Sequence, residues 1–228
     1  MAHYVMADIH GEGERFHGML KKIDFSDADN LYILGDVVDR GPDGIALIQE
    51  IMAMPNVTML LGNHEYMMLQ YFSPDATEAD YRRWNKNGNG PTLAGFQKCS
   101  PNRQEEILNF LRARPSHLQL DVNGKGFYLI HGFPAGDIED EVWNRPTLQT
   151  PNPVADCQLI IGHTPVLELI QPGNRQEAYT QELERRGEHL KILHTPGFID
   201  IDCCCGYDMP GKALACMRLE DMAEFYQC

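Results

Sequence analysis

Asp8 and His10 stand two residues apart just behind a short apolar run, and ligand-type side chains recur behind other such runs. Asp36, Asp39 and Arg40 follow the run at 31–34, and Asn63 and His64 follow 57–61. His131 follows 127–130, and His163 follows 158–161. Carboxylate, amide and imidazole groups with no thiolate make a mixed nitrogen and oxygen donor set. Such a set suits manganese first, with iron or zinc as alternatives, over calcium or copper. Alternation along an extended strand aims Asp8 and His10 the same way, so the pair offers a grip on one cation. Asp36 can bridge to a second, and Asn63, His131 and His163 complete the set. Two divalent ions roughly 3.5–4 Å apart bring the pKa of a shared water towards neutrality, and the resulting hydroxide can attack phosphorus in line.

The remaining parts of a phosphoester hydrolysis are also present. Arg40 lies four residues beyond Asp36, and its planar fork suits a phosphate. Arg145 is a second candidate for that clamp, with Asn63 as a further substrate contact. His64 can protonate the leaving oxygen, and Asp39 can hold its tautomer and favour its charged form. Each fragment alone has a plainer reading. Asn63 could simply cap a helix, lone histidines end many strands, and the arginines could be surface ion-pair partners of little energetic weight. Their order, similar placement and complementary roles favour one site.

Elements that could position these groups are legible from periodicity. Strands are expected at 4–7, 31–34, 57–61, 127–130, 158–161, 190–193, 198–202 and 214–219, with a further one at 166–170. Helices are expected at 14–22, 43–54 and 65–72, the second with a broad apolar face and a stop before Pro55. The order strand–helix–strand argues for an α/β sheet whose ligands gather at strand ends. Residues 73–118 contain no strand-like run and read as a helical excursion beside the site, clearest at 103–114 and broken by turn chemistry at 84–90. Residues 176–186 are ambiguous between helix and loop.

A chain of 228 residues suits a single domain, 1–228, that includes this excursion. Hydrophobic residues at 43% and charged residues at 23% are globular proportions that allow a full core. No apolar stretch approaches the roughly 18 residues of a membrane span, and no basic segment followed by an apolar run marks a signal peptide. A net charge of −14 repels a polyanion, so nucleic acid is not an expected partner. Seven cysteines, an odd number with three consecutive, read as reduced thiols of a cytoplasmic protein. Oligomeric state is left open.

In order, Asp8-Ile9-His10-Gly11, Gly35-Asp36-Val37-Val38-Asp39-Arg40-Gly41, Gly62-Asn63-His64-Glu65, His131-Gly132 and Gly162-His163-Thr164-Pro165 resemble the phosphoprotein phosphatase family within the calcineurin-like metallophosphoesterases. The short length is similar to that of its small bacterial and phage members, the bacteriophage lambda phosphatase type. The resemblance implies an α/β fold of two mixed β-sheets packed as a sandwich and flanked by helices. It implies two divalent ions held by Asp8, His10, Asp36, Asn63, His131 and His163, with Asp36 between them. It also implies His64 as general acid supported by Asp39, and a phosphate clamp of Arg40 and Arg145. Ala7 replaces a glycine of the family pattern, Phe133 brings a ring to the site mouth, and Arg145 follows His131 closely. Cys203, Cys204 and Cys205 stand where small polar residues and glycine are expected, and read as small buried strand residues rather than a metal or redox site.

The leading functional expectation is a serine/threonine protein phosphatase, extending to phosphotyrosine. Its partner would be a phosphorylated protein or a small phosphate ester. The alternative is a dinucleoside polyphosphate hydrolase, which needs the same metals and differs in the pocket shaped by the excursion and by residues 166–197. A non-catalytic scaffold ranks last, because acid and ligands are all present. Trp143 is read as packing, and His3, His17, His117, His189 and His194 as lying outside the site.

Overall fold

Period-two alternation in the short apolar runs decides how the layers stack. The computed structural model describes every residue except 172, 174 and 175, so those positions of the 166–197 region lie outside the described residues. Its elements run β1 (His3–Met6), α1 (Gly13–Lys22), β2 (Asn30–Ile33), α2 (Gly44–Met52), β3 (Val57–Met59) and α3 (Asn63–Tyr71). Next come α4 (Glu78–Lys86), α5 (Gly90–Gln97), α6 (Pro101–Arg112), β4 (His117–Val122), β5 (Lys125–Ile130), α7 (Ile138–Trp143) and β6 (Cys157–Ile161). The chain closes with α8 (Val166–Ile170), α9 (Gln176–Arg186), β7 (Leu193–His194), β8 (Ile199–Asp200), β9 (Leu214–Arg218) and β10 (Ala223–Gln227).

Two five-stranded mixed sheets result, in the orders β10-β9-β1-β2-β3 and β4-β5-β6-β8-β7. Strands β1, β2 and β3 are parallel, as are β5, β6 and β8. Val5, Ala215 and Met217 of the first sheet share one core with Phe127, Leu129 and Ile160 of the second. Their chain neighbours Tyr4, Met6, Leu214 and Cys216 point the other way, into a core with Phe16 and Met19 of α1 and Ile48 and Ile51 of α2. On the far face of the second sheet, Leu159 and Ile161 pack with Phe198 and, at the edge, Leu169 of α8. This is the expected sandwich of mixed sheets with helices outside.

Several local expectations change. The run at 166–170 forms the short helix α8 instead of a strand. Its Glu168 lies between apolar neighbours, and Val166 is held by the Asp202 carbonyl. Residues 176–186 form helix α9. Of the run at 190–193 only Leu193 is in a strand, and 198–202 shortens to β8. Strand β4 overlaps the expected excursion only at His117 and Leu118 and was not anticipated, because its alternation carries polar residues on one side and little full burial on the other, while β10, with its mixed burial, and the short α7 gave no clear period. Trp84 lies inside α4, and the turn it was expected to begin starts only after Lys86. No helix among the described residues is long and apolar enough to cross a membrane.

Candidate active site

Every predicted ligand lies just beyond the carboxyl end of a parallel strand, at the start of a loop or helix. Asp8 and His10 follow β1, Asp36 follows β2, Asn63 opens α3, and His131 and His163 follow β5 and β6. Both sheets therefore contribute to one crevice. The loops are wound tightly: Asp8, His10, Asp36, Asp39, Arg40 and His163 all have positive φ, between 49° and 71°. A non-glycine residue in this region costs on the order of 1 kcal/mol, and such residues gather where surrounding structure imposes them. Gly35, at φ 95°, passes so close to Gly62 that a Cβ on it would lie 2.4 Å from the Gly62 nitrogen.

Glu65 fastens these crossings together. Its buried carboxylate accepts from the backbone N–H groups of Asp36 (2.8 Å), Val37 (2.8 Å), Val38 (3.1 Å) and Gly62 (3.1 Å). Burial and the neighbouring Asp36 push it up to about 7. The motif containing Glu65 was legible, but this fastening role was not.

Each metal-type histidine has one nitrogen engaged with a backbone carbonyl. Nδ1 of His10 lies 3.1 Å from the Val38 oxygen, Nδ1 of His131 lies 2.7 Å from that of Leu34, and Nε2 of His163 lies 3.2 Å from that of Trp143. With those nitrogens donating, the other carries a lone pair. Burial lowers the pKa of all three rings, so they favour the neutral, ligating form. Nε2 of His131 then faces Asn63 Oδ1 at 2.9 Å and Asp36 Oδ1 at 3.4 Å, and Nε2 of His10 faces Asp36 Oδ2 at 3.6 Å and Asp8 Oδ1 at 4.0 Å. Two donor groups share Asp36: His10, Asp36 and His64, and Asp36, His131 and His163, each with ligand atoms within 4.8 Å of one another.

The donor set fits a pair of divalent cations. Acceptors converge with little between them to donate, and burial together with Asp202 and Asp36 pushes Asp8 well above the usual carboxylate range. Positive charge placed among them would relieve that repulsion. Asp36 is held below the ordinary carboxylate range: burial opposes its charge, but the surrounding imidazoles of His131, His64 and His10, of which His64 favours its charged form, outweigh it.

His64 sits beside this cluster. Its Nδ1 is 2.6 Å from Asp39 Oδ2, its backbone N–H donates to Asp36 Oδ1 at 2.9 Å, and its Nε2 lies 3.2 Å from an Arg40 Nη2. Burial opposes protonation, yet Asp36 and the Asp39 hydrogen bond leave its pKa raised. Asp39 is positioned in turn: its carboxylate accepts from the Trp84 indole at 2.7 Å, and its backbone N–H donates to Thr92 Oγ1 at 2.7 Å. The Arg40 N–H donates to the Gly88 carbonyl at 3.0 Å. The helical excursion thus steadies His64, through Asp39, and Arg40 from behind. Trp84 and Thr92 were not found in the sequence, because nothing in their spacing links them to Asp39.

The cleft, of about 90 Å³, is lined by Asp8, His10, Asp36, Arg40, Asn63, His64, His163 and Arg145, joined by Asn87, Trp143, Asp202 and Tyr207. His131 lies beneath it and is fully buried. Arg40 stacks over the Tyr207 ring at 4.4 Å, and its buried Nη1 has no partner among the described residues. Arg145 is exposed and ion-paired to Glu168 at 2.6 Å. Asp202, pushed up to about 6 by burial, is an acidic lining residue the motifs did not single out. Cys203, Cys204 and Cys205 are buried, and burial raises their thiol pKa values, which keeps them protonated and inert. His3, His17, His117 and His194 pair with glutamates away from the cleft, and His189 packs on Tyr226.

Residues 1–199 match the calcineurin-like phosphoesterase family. The chain belongs to that family. That family is one of divalent-metal phosphoesterases, and the two donor groups that share Asp36 match its chemistry. Among curated proteins it is similar to a symmetrical bis(5'-nucleosyl)-tetraphosphatase of Acidovorax sp. (strain JS42), 34% identical over 133 residues, 58% of this chain and 43% of that protein. A protein of the same name from Wigglesworthia glossinidia brevipalpis is 29% identical over 161 residues, 70% of this chain and 53% of that one. The chain spans about half the length of the curated relatives it matches. In fold it is similar to the crystal structure of a protein proposed to be a diadenosine tetraphosphatase, with TM-score 0.60, 16% identity, and coverage of 99% of this chain and 92% of that one. That likeness, at so low an identity, shows the fold alone.

These relatives overturn the expectation of a serine/threonine protein phosphatase with a phosphoprotein partner, and they do not single out the bacteriophage lambda type. The reason lies in what the motifs encode. Ligands, clamp and acid serve any phosphoryl transfer to water, whereas the leaving group is read by residues outside them.

Proposed function

We propose that this chain hydrolyses dinucleoside polyphosphates, cutting the phosphate chain of diadenosine tetraphosphate at its centre. The shared name of its curated relatives at 29–34% identity is the observation that carries this reading. Asp8, His10, Asp36, Asn63, His131 and His163 would hold two divalent ions, with manganese the first choice for this donor set. Bound there, the ions supply charge neutralisation at the phosphoryl oxygens and a water of lowered pKa.

The chain's own groups supply the rest. Arg40 lines the cleft, and its buried Nη1, without a partner among the described residues, is a donor that a phosphoryl oxygen entering the cleft would satisfy. Arg145 can join it by exchanging its exposed Glu168 partner for phosphate, at little cost for a surface pair. As water adds to phosphorus and the central bridging P–O bond breaks, His64 gives its Nε2 proton to the departing oxygen. Asp39 keeps the Nδ1 proton in place and stabilises the charged ring before transfer. A departing nucleoside diphosphate is a weaker base than an alkoxide, so it needs this proton less than an alkyl phosphate would.

A side-by-side assay of the manganese-loaded chain on diadenosine tetraphosphate, an aryl phosphate and a phosphopeptide tests the reading. Expected are the highest kcat/KM for the dinucleotide and adenosine diphosphate as its sole nucleotide product. A higher kcat/KM for the aryl phosphate or the peptide, or products of adenosine triphosphate and monophosphate, would end it.

A further inference from the structure

Trp143 ends α7 with one side turned to the metal-type cluster. Its carbonyl lies 3.2 Å from His163 Nε2, and the two rings meet edge to face with centroids 5.8 Å apart. The same residue lines both the cleft and an adjoining groove of about 510 Å³, whose other walls are Arg83, Lys86, Asn87, Glu139 and Asp140. Asn87 also belongs to both spaces, so the groove opens directly from the cleft. That volume is in the range of pockets that hold a small organic ligand, which run to roughly 300–1,000 Å³.

The groove has the chemistry of a nucleoside. Trp143 offers an aromatic surface, the Arg83 guanidinium stands 6.0 Å from its ring centroid, and Asn87 brings an amide that can both donate and accept. The Arg83–Glu139 pair, at 3.2 Å, joins α4 to α7 at the groove. That leaves the Asp140 carboxylate for ribose hydroxyls. Lys86 lines the groove and has no ion-pair partner among the described residues, which leaves its ammonium available to an anion. It suits the phosphate arm between base and scissile centre.

We propose that this groove is a nucleoside subsite in which Trp143 stacks on the base and Lys86 holds the adjacent phosphate. The assignment rests on the dinucleotide reading above and locates one half of that substrate. Arg145 joins the cleft to a further groove of about 420 Å³, which leaves room for the other half.

Two measurements test the subsite. In steady-state assays of the manganese-loaded chain, Trp143→Leu and Lys86→Ala should each raise the ratio of KM for diadenosine tetraphosphate to KM for an aryl phosphate by roughly tenfold, the weight of one stacked base or charged contact. In the second, adenosine diphosphate added to the metal-free chain should quench tryptophan emission, inorganic phosphate should not, and Trp143→Phe should lose the response. Trp84, the other tryptophan, is fully buried and out of reach. Quenching that survives in Trp143→Phe, or KM ratios unmoved in both variants, would overturn the subsite even if the dinucleotide is hydrolysed. Equal quenching by a phosphopeptide would give the groove to a different ligand and also overturn it. Quenching without dinucleotide hydrolysis would uphold the subsite and sink the activity instead.

Discussion

At the residue scale, His64, the proposed acid, is the end of a relay that begins in the helical excursion: Trp84 donates to Asp39, and Asp39 to His64 is a 2.6 Å contact. His64→Asn should retain metal yet lose turnover roughly 100-fold or more on an alkyl phosphate, and less on the dinucleotide, in line with general-acid magnitudes. Equal losses on both substrates, measured as kcat, would remove His64 from the acid role. Trp84→Phe keeps the packing but deletes one hydrogen bond to a buried carboxylate, so kcat should fall about tenfold. The metal-to-protein ratio should be unaltered, since Trp84 touches no ligand. Gly206 has a different task. A Cβ there would lie 2.4 Å from the His10 Cβ and 2.5 Å from its ring. Gly206→Ala should therefore lower bound manganese while the circular dichroism spectrum is kept; full occupancy would show that His10 can move without loss.

At the element scale, Glu65 decides how the loop after β2 meets the start of α3. One carboxylate gathers four N–H groups that tightly wound loops cannot satisfy by themselves. Glu65→Gln retains one acceptor oxygen and sets an amide N–H₂ against donors, so denaturant titration should show a loss of about 2–4 kcal/mol. A loss below about 0.5 kcal/mol, the ordinary scatter for a surface substitution, would mean the loop holds its shape without it. The same scale explains the strained φ values: Asp8, His10, Asp36 and His163 are turned sharply at strand ends, and neighbouring elements, not local preference, keep them there.

At the scale of the whole molecule, the proposed ligands come from both sheets: Asp8, His10, Asp36 and Asn63 from one, His131 and His163 from the other. Cations bound among them would tie the sandwich together at its open end. Metal present at about a hundredfold over its Kd adds about 2.7 kcal/mol, which for a chain of this size is a rise in Tm of about 5–10 °C. Chelation should reverse the gain; a Tm indifferent to manganese and chelator would contradict a site shared between the sheets.

The sequence alone determined the types of donor side chain on offer, their attachment to strand ends, and the α/β layering. Short apolar runs bury on both faces, and the side chains that follow them have few places to go. Asp8, Asp36, His131 and His163 were legible for that reason. Tertiary structure decided everything that depends on residues distant in the chain: Trp84 behind Asp39, Asp202 among the lining carboxylates, Trp143 at the join of cleft and groove, and α8 in place of a strand. Substrate choice belongs to this second group. Periodicity records which face of an element is buried, but not which other element comes to lie against it.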